Sequence, residues 1–308
     1  MAKQLSSTAA VIAASTALAA REPALARLLE DGDAALADAV LAEAGLRGAV
    51  LLKLLARAYF RTAMIRAEKL LLPGIQLHYR VRKRRIATLV ESEVTHGAAQ
   101  VVIAGAGYDG FGARVAWRHP CVNVFELDRP GVLALKRRAL ARARLARDNL
   151  HHVSADLSSA SLPELLAAVP EFSAQKPTVI LAEGLLMYFV EGEVSAFLAA
   201  ARDLIRNGGK VVFTVMEGSS GTRPRFRRQH PLVAWWLDHS AEPFRWSKDP
   251  RKLAGFLGTV GLVSADVYGS DELASELGPN GNKMMLAEGE YVVVAVPQIE
   301  LSASRSQV

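Results

Sequence analysis

Gly105-Ala106-Gly107-Tyr108-Asp109-Gly110 sets glycines at the first, third and sixth positions of one short segment, and Asp128 follows 23 residues after Gly105. Glycines so spaced let the backbone approach a ligand without a Cβ clash. A carboxylate at that distance can accept hydrogen bonds from both hydroxyls of a ribose. The chemistry predicted is the binding of a nucleotide cofactor, although the same glycines also suit a plain tight turn between a strand and a helix. Glu183 ends an apolar run, where an unpaired carboxylate is costly and a cationic ligand would offset the cost. Asp156, with Leu157 beside it, stands where an adenine amino group would be met. Asp156 suits equally well the capping of the turn that follows it.

Asp109 separates the candidate cofactors. A carboxylate inside the turn repels the pyrophosphate of a nicotinamide dinucleotide and attracts the ammonium and sulfonium of S-adenosyl-L-methionine. On the acceptor side, residues 218–248 carry Arg223, Arg225, Arg227 and Arg228, then His230, Trp235, Trp236 and His239. Arginine forks bind carboxylates in bidentate fashion and the tryptophans offer an apolar wall, so this segment is expected to hold a small, hydrophobic, anionic acceptor. Methylation of a carboxylate needs no base. Methylation of a hydroxyl would use His230 or His239 as the catalytic base. No histidine has a cysteine or carboxylate partner at ligand spacing, so no metal is expected.

Positioning these groups requires a layered α/β framework. Val101 to Ala104, Asn123 to Asp128, His152 to Asp156, Thr178 to Glu183 and Lys210 to Met216 are short apolar strand candidates. Helical segments separate them, the pattern of a doubly wound, Rossmann-like parallel sheet. Leu262 to Tyr268 and Glu290 to Val296 add two further strands. Ahead of the sheet, residues 1–75 read as an Ala- and Leu-rich helical cap closed by Pro73-Gly74, and Gln76 to Thr95 as a basic helix. The remaining divisions are a methyl-transfer-type domain over 76–300, a lid insertion over 218–248 and a frayed tail over 301–308.

Composition narrows the class. A chain of 308 residues with 51% hydrophobic residues can bury a large core, and its single Cys121 rules out a disulfide framework. A cytoplasmic location is the resulting expectation. Thr8 to Ala20 is too short and polar to span a bilayer and reads as a helix. The net charge of +6 falls in separate clusters without interleaved aromatics, so neither nucleic acid nor membrane is an expected partner.

Three motifs, Gln100 to Asp109, Phe125-Glu126-Leu127-Asp128-Arg129-Pro130 and Leu181-Ala182-Glu183-Gly184-Leu185-Leu186-Met187-Tyr188, together resemble the leucine carboxyl methyltransferase family. The resemblance implies a class I S-adenosyl-L-methionine-dependent O-methyltransferase, of the kind found in bacterial natural-product pathways, with an N-terminal helical cap. It implies that Arg80 grips the cofactor's carboxylate and that Glu183 faces its methionine end, while Tyr188, by its residue type, suits either the lining of the cofactor pocket or core packing. Two features depart from the family pattern: Asp109-Gly110-Phe111 replaces Asp-Thr-Arg, and an N-terminal Asp-Pro pair is missing. Two rival readings remain open, an NAD-dependent dehydrogenase and a non-catalytic module that binds S-adenosyl-L-methionine.

Overall fold

Ala and Leu, which lose little freedom in a helix, fill the first 70 residues. They form helices α1 (Ser7–Ala19), α2 (Pro23–Ala26), α3 (Asp33–Glu43), α4 (Leu46–Leu55) and α5 (Ala58–Leu71). The structure, a computed structural model, describes residues 7–218, 223–240, 242–278 and 285–298. The 301–308 tail and parts of the 218–248 segment lie outside the described residues. Pro73-Gly74 ends the first helical series, and α6 (Ile75–Thr95) leads into the sheet.

From there strands and helices alternate: β1 (Gln100–Ala104), α7 (Phe111–Arg118), β2 (Asn123–Asp128), α8 (Pro130–Arg142), β3 (Leu150–Ser154), α9 (Leu162–Ala167) and β4 (Thr178–Ala182). A 3₁₀ turn at Leu186–Tyr188 precedes α10 (Glu191–Leu204) and β5 (Gly209–Met216). The chain then forms α11 (Pro231–Asp238), α12 (Pro250–Thr259), β6 (Leu262–Tyr268), α13 (Ser270–Ala274) and β7 (Glu290–Pro297). Among the described residues the strands make one sheet in the order β3-β2-β1-β4-β5-β7-β6. The first five are parallel, and β7 runs antiparallel between β5 and β6. The expected doubly wound sheet is present. The helix after β2 ends at Arg142, just before Arg144 takes a left-handed conformation (φ 59°).

The strands alternate their side chains between two apolar layers. Val101 and Ile103 pack with Val90 and Val94 of α6, Val115 of α7 and Leu135 of α8. Val102 and Ala104 pack with Leu166 of α9, Leu198 of α10 and Leu257 of α12. Burial on both faces explains why β1 and β4 read as unbroken apolar runs. Leu36, Ala39 and Val40 of α3 join the first layer, which seats the N-terminal helices against the sheet's flank.

A buried ion pair lies within this core. Lys136 of α8 and Glu126 of β2 are almost wholly buried and pair at 2.8 Å, and the same ammonium donates to the Ala106 carbonyl at 3.1 Å. It therefore ties α8, β2 and the glycine turn together. Removing one partner of a buried pair strands the other charge, at a cost of about 3 to 5 kcal/mol. Lys136→Met is expected to lose stability on that scale in urea denaturation followed by circular dichroism. A loss below 1 kcal/mol would mean that Glu126 is held by something other than Lys136.

Candidate functional site

The carboxyl ends of β1, β2 and β4 border a cavity whose floor is the glycine turn. Gly105 has φ +73°, and a Cβ added there would come within 3.0 Å of Leu185, so only glycine fits both the conformation and the space. The Gly107 N–H donates to Asp128 Oδ2 at 2.8 Å, and the Arg129 N–H donates to Oδ1 at 2.7 Å. Burial pushes the Asp128 carboxyl upward, and these two N–H groups oppose the shift.

A ladder of charges forms one wall. Tyr79, Arg82 and Lys83 sit at the i, i+3 and i+4 positions of α6, which turns all three toward the cavity. Arg82, only 4% exposed, donates to Glu183 Oε1 through Nε at 3.0 Å and Nη2 at 2.7 Å, and through Nη1 to Glu290 Oε2. The Lys83 ammonium lies 2.6 Å from Asp109 Oδ2 and 3.2 Å from Glu183 Oε1. His78 Nε2 lies 3.0 Å from Glu290 Oε2. Burial resists ionisation of Asp109, but Lys83 and Arg114 outweigh it and hold this carboxyl well below the usual range. At Glu290 burial is likewise overcome by Arg82 and His78, and the carboxyl falls to about 2.

The opposite wall is apolar and aromatic. It is built from Met187 and Tyr188 of the 3₁₀ turn, Phe226, Phe244 and the start of α1 at Thr8, Ala9 and Ile12. The Tyr188 and Phe244 rings lie 5.6 Å apart. Charge in the lining is unbalanced. The carboxylates are Asp109, Glu126, Asp128, Glu183, Glu242 and Glu290 against the cations Arg82, Lys83 and Arg129, so the described lining favours a cationic ligand.

The structure brings Gly105, Gly107, Asp109, Asp128, Glu183 and Tyr188 to this cavity. Arg80 does not line this cavity but a small adjoining one that shares Ile12, Tyr108 and Asp109 with it, and there it donates to Thr16 Oγ1 at 3.2 Å and Ser15 Oγ at 3.3 Å. Asp156 accepts from the Ser158 N–H and hydroxyl, a local turn cap, and Leu157 is packed in the second apolar layer. The acceptor residues expected in 218–248 also stand away from the cavity lining. Arg225 pairs with Asp238 as Arg223 does, Arg227 with Glu217 and Glu288, and Arg228 with Glu288, all at exposed positions. His230 caps α11 by accepting from the Leu232 N–H, and His239 packs on Trp235. Trp235 is 61% exposed and Trp236 is exposed as well. Sequence reasoning passed over Tyr79, Arg82, Lys83, Phe226, Phe244 and Glu290. The helical spacing of the first three was the available signal.

Comparison with known proteins matches the leucine carboxyl methyltransferase family to residues 9–201, more than half of the chain. The chain belongs to this family. A protein of Streptomyces coelicolor, provisionally named an S-adenosyl-L-methionine-dependent methyltransferase, is 34% identical over 147 residues, 47% of this chain and 50% of its own length. The match thus spans about half of that curated relative. Among solved structures, a provisionally named methyltransferase from Thermobifida fusca superposes with a TM-score of 0.52 at 17% identity, covering 85% of this chain and 93% of its own. A DUF574 family protein from Streptomyces avermitilis gives 0.54 at 16% identity, covering 77% and 90%. Both show the same fold. Among the described residues no helix is long and apolar enough to cross a membrane.

The lowered carboxyls link stability to acid. Glu290 falls from an ordinary 4.5 to about 2 on folding, so its contribution is present above about pH 4.5 and is lost as pH falls toward 2. Glu290→Gln is expected to flatten that part of the stability profile, measured as urea midpoints between pH 2 and 6. Parallel profiles for the two proteins would mean that Glu290 is not ion-paired in solution.

Proposed function

We propose that this chain is an S-adenosyl-L-methionine-dependent methyltransferase acting on an oxygen of a small molecule. Family membership supports the cofactor. The single observation that carries the reading onto this site is the charge ladder beside the glycine turn, where two cations, Arg82 and Lys83, face two carboxylates, Glu183 and Asp109.

These residues fit the cofactor's amino-acid end. An α-carboxylate is suited to Arg82 and Lys83, and an α-ammonium to Asp109 and Glu183, so a zwitterion exchanges ion pairs the free protein already makes. Asp128 would take the ribose diol. A sulfonium adds one more positive charge, which the excess of lining carboxylates favours. Bound there, S-adenosyl-L-methionine supplies a methyl group already activated by its sulfonium leaving group. This chain's part is then to orient the acceptor oxygen and exclude water. The same acid-rich lining counts against a dinucleotide, whose pyrophosphate would add two negative charges. The apolar wall of Met187, Tyr188, Phe226 and Phe244 counts against a purely cofactor-sensing module, because it offers space of a different chemistry beside the cofactor's. A specialised metabolite acceptor and a cytoplasmic location complete this reading, supported by the family resemblance and the lone Cys121.

Two substitutions test it by calorimetry with S-adenosylhomocysteine. Asp128→Ala is expected to lower affinity at least tenfold, since hydrogen bonds to an ionised partner are worth about 1.5 to 3 kcal/mol each. Lys83→Met is expected to weaken S-adenosylhomocysteine on the same scale while leaving adenosine binding unchanged, and Arg80→Lys to alter neither. Equal losses for adenosine and S-adenosylhomocysteine in Lys83→Met would remove Lys83 from the amino-acid subsite. Tight NADH binding with none of S-adenosylhomocysteine would overturn the proposal as a whole.

A further inference from the structure

We propose that Glu290 is the acceptor-recognition residue of this cavity and that it selects a neutral aromatic hydroxyl, a phenol, over a carboxylate. The inference rests on the methyltransferase reading above and assigns its substrate class.

Glu290 is the first residue of β7, and because that strand is antiparallel its start lies at the carboxyl edge of the parallel strands, where the cavity opens. The residue is 2% exposed. One oxygen, Oε2, is taken up by His78 and Arg82, whereas Oε1 is buried with no hydrogen-bond partner among the described residues. A buried carboxylate oxygen without a donor is costly, and a ligand bringing an O–H to it would remove that cost. Glu290 also borders an outer hollow beside Arg227, Glu288, Ser270 and Tyr291, but the cluster of Tyr79, Tyr188, Phe226 and Phe244 is on the cavity's side.

The surroundings fix the rest of the acceptor. Phe226 sits edge-on to the His78 ring at 5.9 Å, and Tyr79, Met187, Tyr188 and Phe244 complete an apolar cluster around it. Flat, polarisable walls of this kind suit an aromatic body. An anionic acceptor is disfavoured for two reasons. The cations of the wall, Arg82 and Lys83, are the ones the cofactor's α-carboxylate would take up, and the remaining lining cation, Arg129, pairs with Glu242. A carboxylate placed beside the buried Glu290 would also meet a like charge at short range. A phenol meets neither penalty. Held ionised by Arg82 and His78, the Glu290 carboxylate accepts the hydroxyl's hydrogen bond and orients its oxygen, and the proton released on methylation passes to bulk water.

Three probes of one shape separate the possibilities: 1-naphthol, 1-naphthoate and 1-methoxynaphthalene, each titrated at pH 7 into the full chain with and without saturating S-adenosylhomocysteine. The expected result is binding of 1-naphthol at least tenfold tighter than either other probe. Glu290→Gln, checked for folding by circular dichroism, is expected to shift the ratio of 1-naphthol to 1-naphthoate affinity at least fivefold toward the acid. Should that variant fail to fold, the wild-type ratios alone decide. Equal binding of naphthol and its methyl ether, no naphthol binding, or a preference for naphthoate would overturn the assignment while S-adenosylhomocysteine still binds. Failure of the wild-type chain to bind S-adenosylhomocysteine at all would instead overturn the reading on which the assignment rests.

Discussion

The Arg82 guanidinium is the contact on which the site's geometry hangs. It reaches from the helix ahead of the sheet to Glu183 after β4 and to Glu290 at the start of β7, three elements separated by up to 208 residues in the chain. A buried guanidinium is tolerable only when its donors are satisfied, and two buried carboxylates are tolerable only beside a cation. Each group therefore fixes the others. The fork geometry of arginine matters here, because a lysine could not serve two acceptors in a plane with the same definition. Lys83 extends the ladder to Asp109 in the glycine turn and so couples the placement of the helix to the loop that would meet a cofactor.

Much of the framework was legible in the sequence because parallel strands buried on both faces leave short, largely apolar runs, and β1 and β4 do so most clearly. The glycine turn and Asp128 were legible for a related reason: their roles depend on backbone conformation and on a fixed separation, both visible in one dimension. The basic run from Arg80 to Arg85 was different. Positive charge is available at almost every position of that run, so composition cannot say which side chain meets the ligand. Only the phase of the helix against the sheet does, and it rotates Arg82 and Lys83 inward and Arg80 toward α1.

The acceptor side was less legible still. The arginines of residues 223–228 look like an anion trap in sequence, but Glu217, Asp238 and Glu288 neutralise them at separations no local pattern reveals. The paired tryptophans of α11 sit on the outside of a short helix, and the aromatic wall comes instead from Phe226 and Phe244 on either side of it. Glu290 was invisible for the simplest reason. It opens a strand otherwise made of tyrosine, valine, alanine and a closing proline, and nothing in that run says that the strand is antiparallel and starts at the ligand edge.

That reversed last strand bears on how such a protein can change. Glu290 lies outside the stretch, residues 9–201, that carries the family match, whereas the arginine and histidine it contacts lie within it. A substitution at 290 alone would leave Arg82 and His78 without their shared counter-charge, and so would disturb the part of the site within the family match along with the part beyond it. Positions 78, 82 and 290 thus form an epistatic block. New specificities in this lineage would be reached through coordinated replacement of the three, or through the aromatic wall, which can drift one residue at a time.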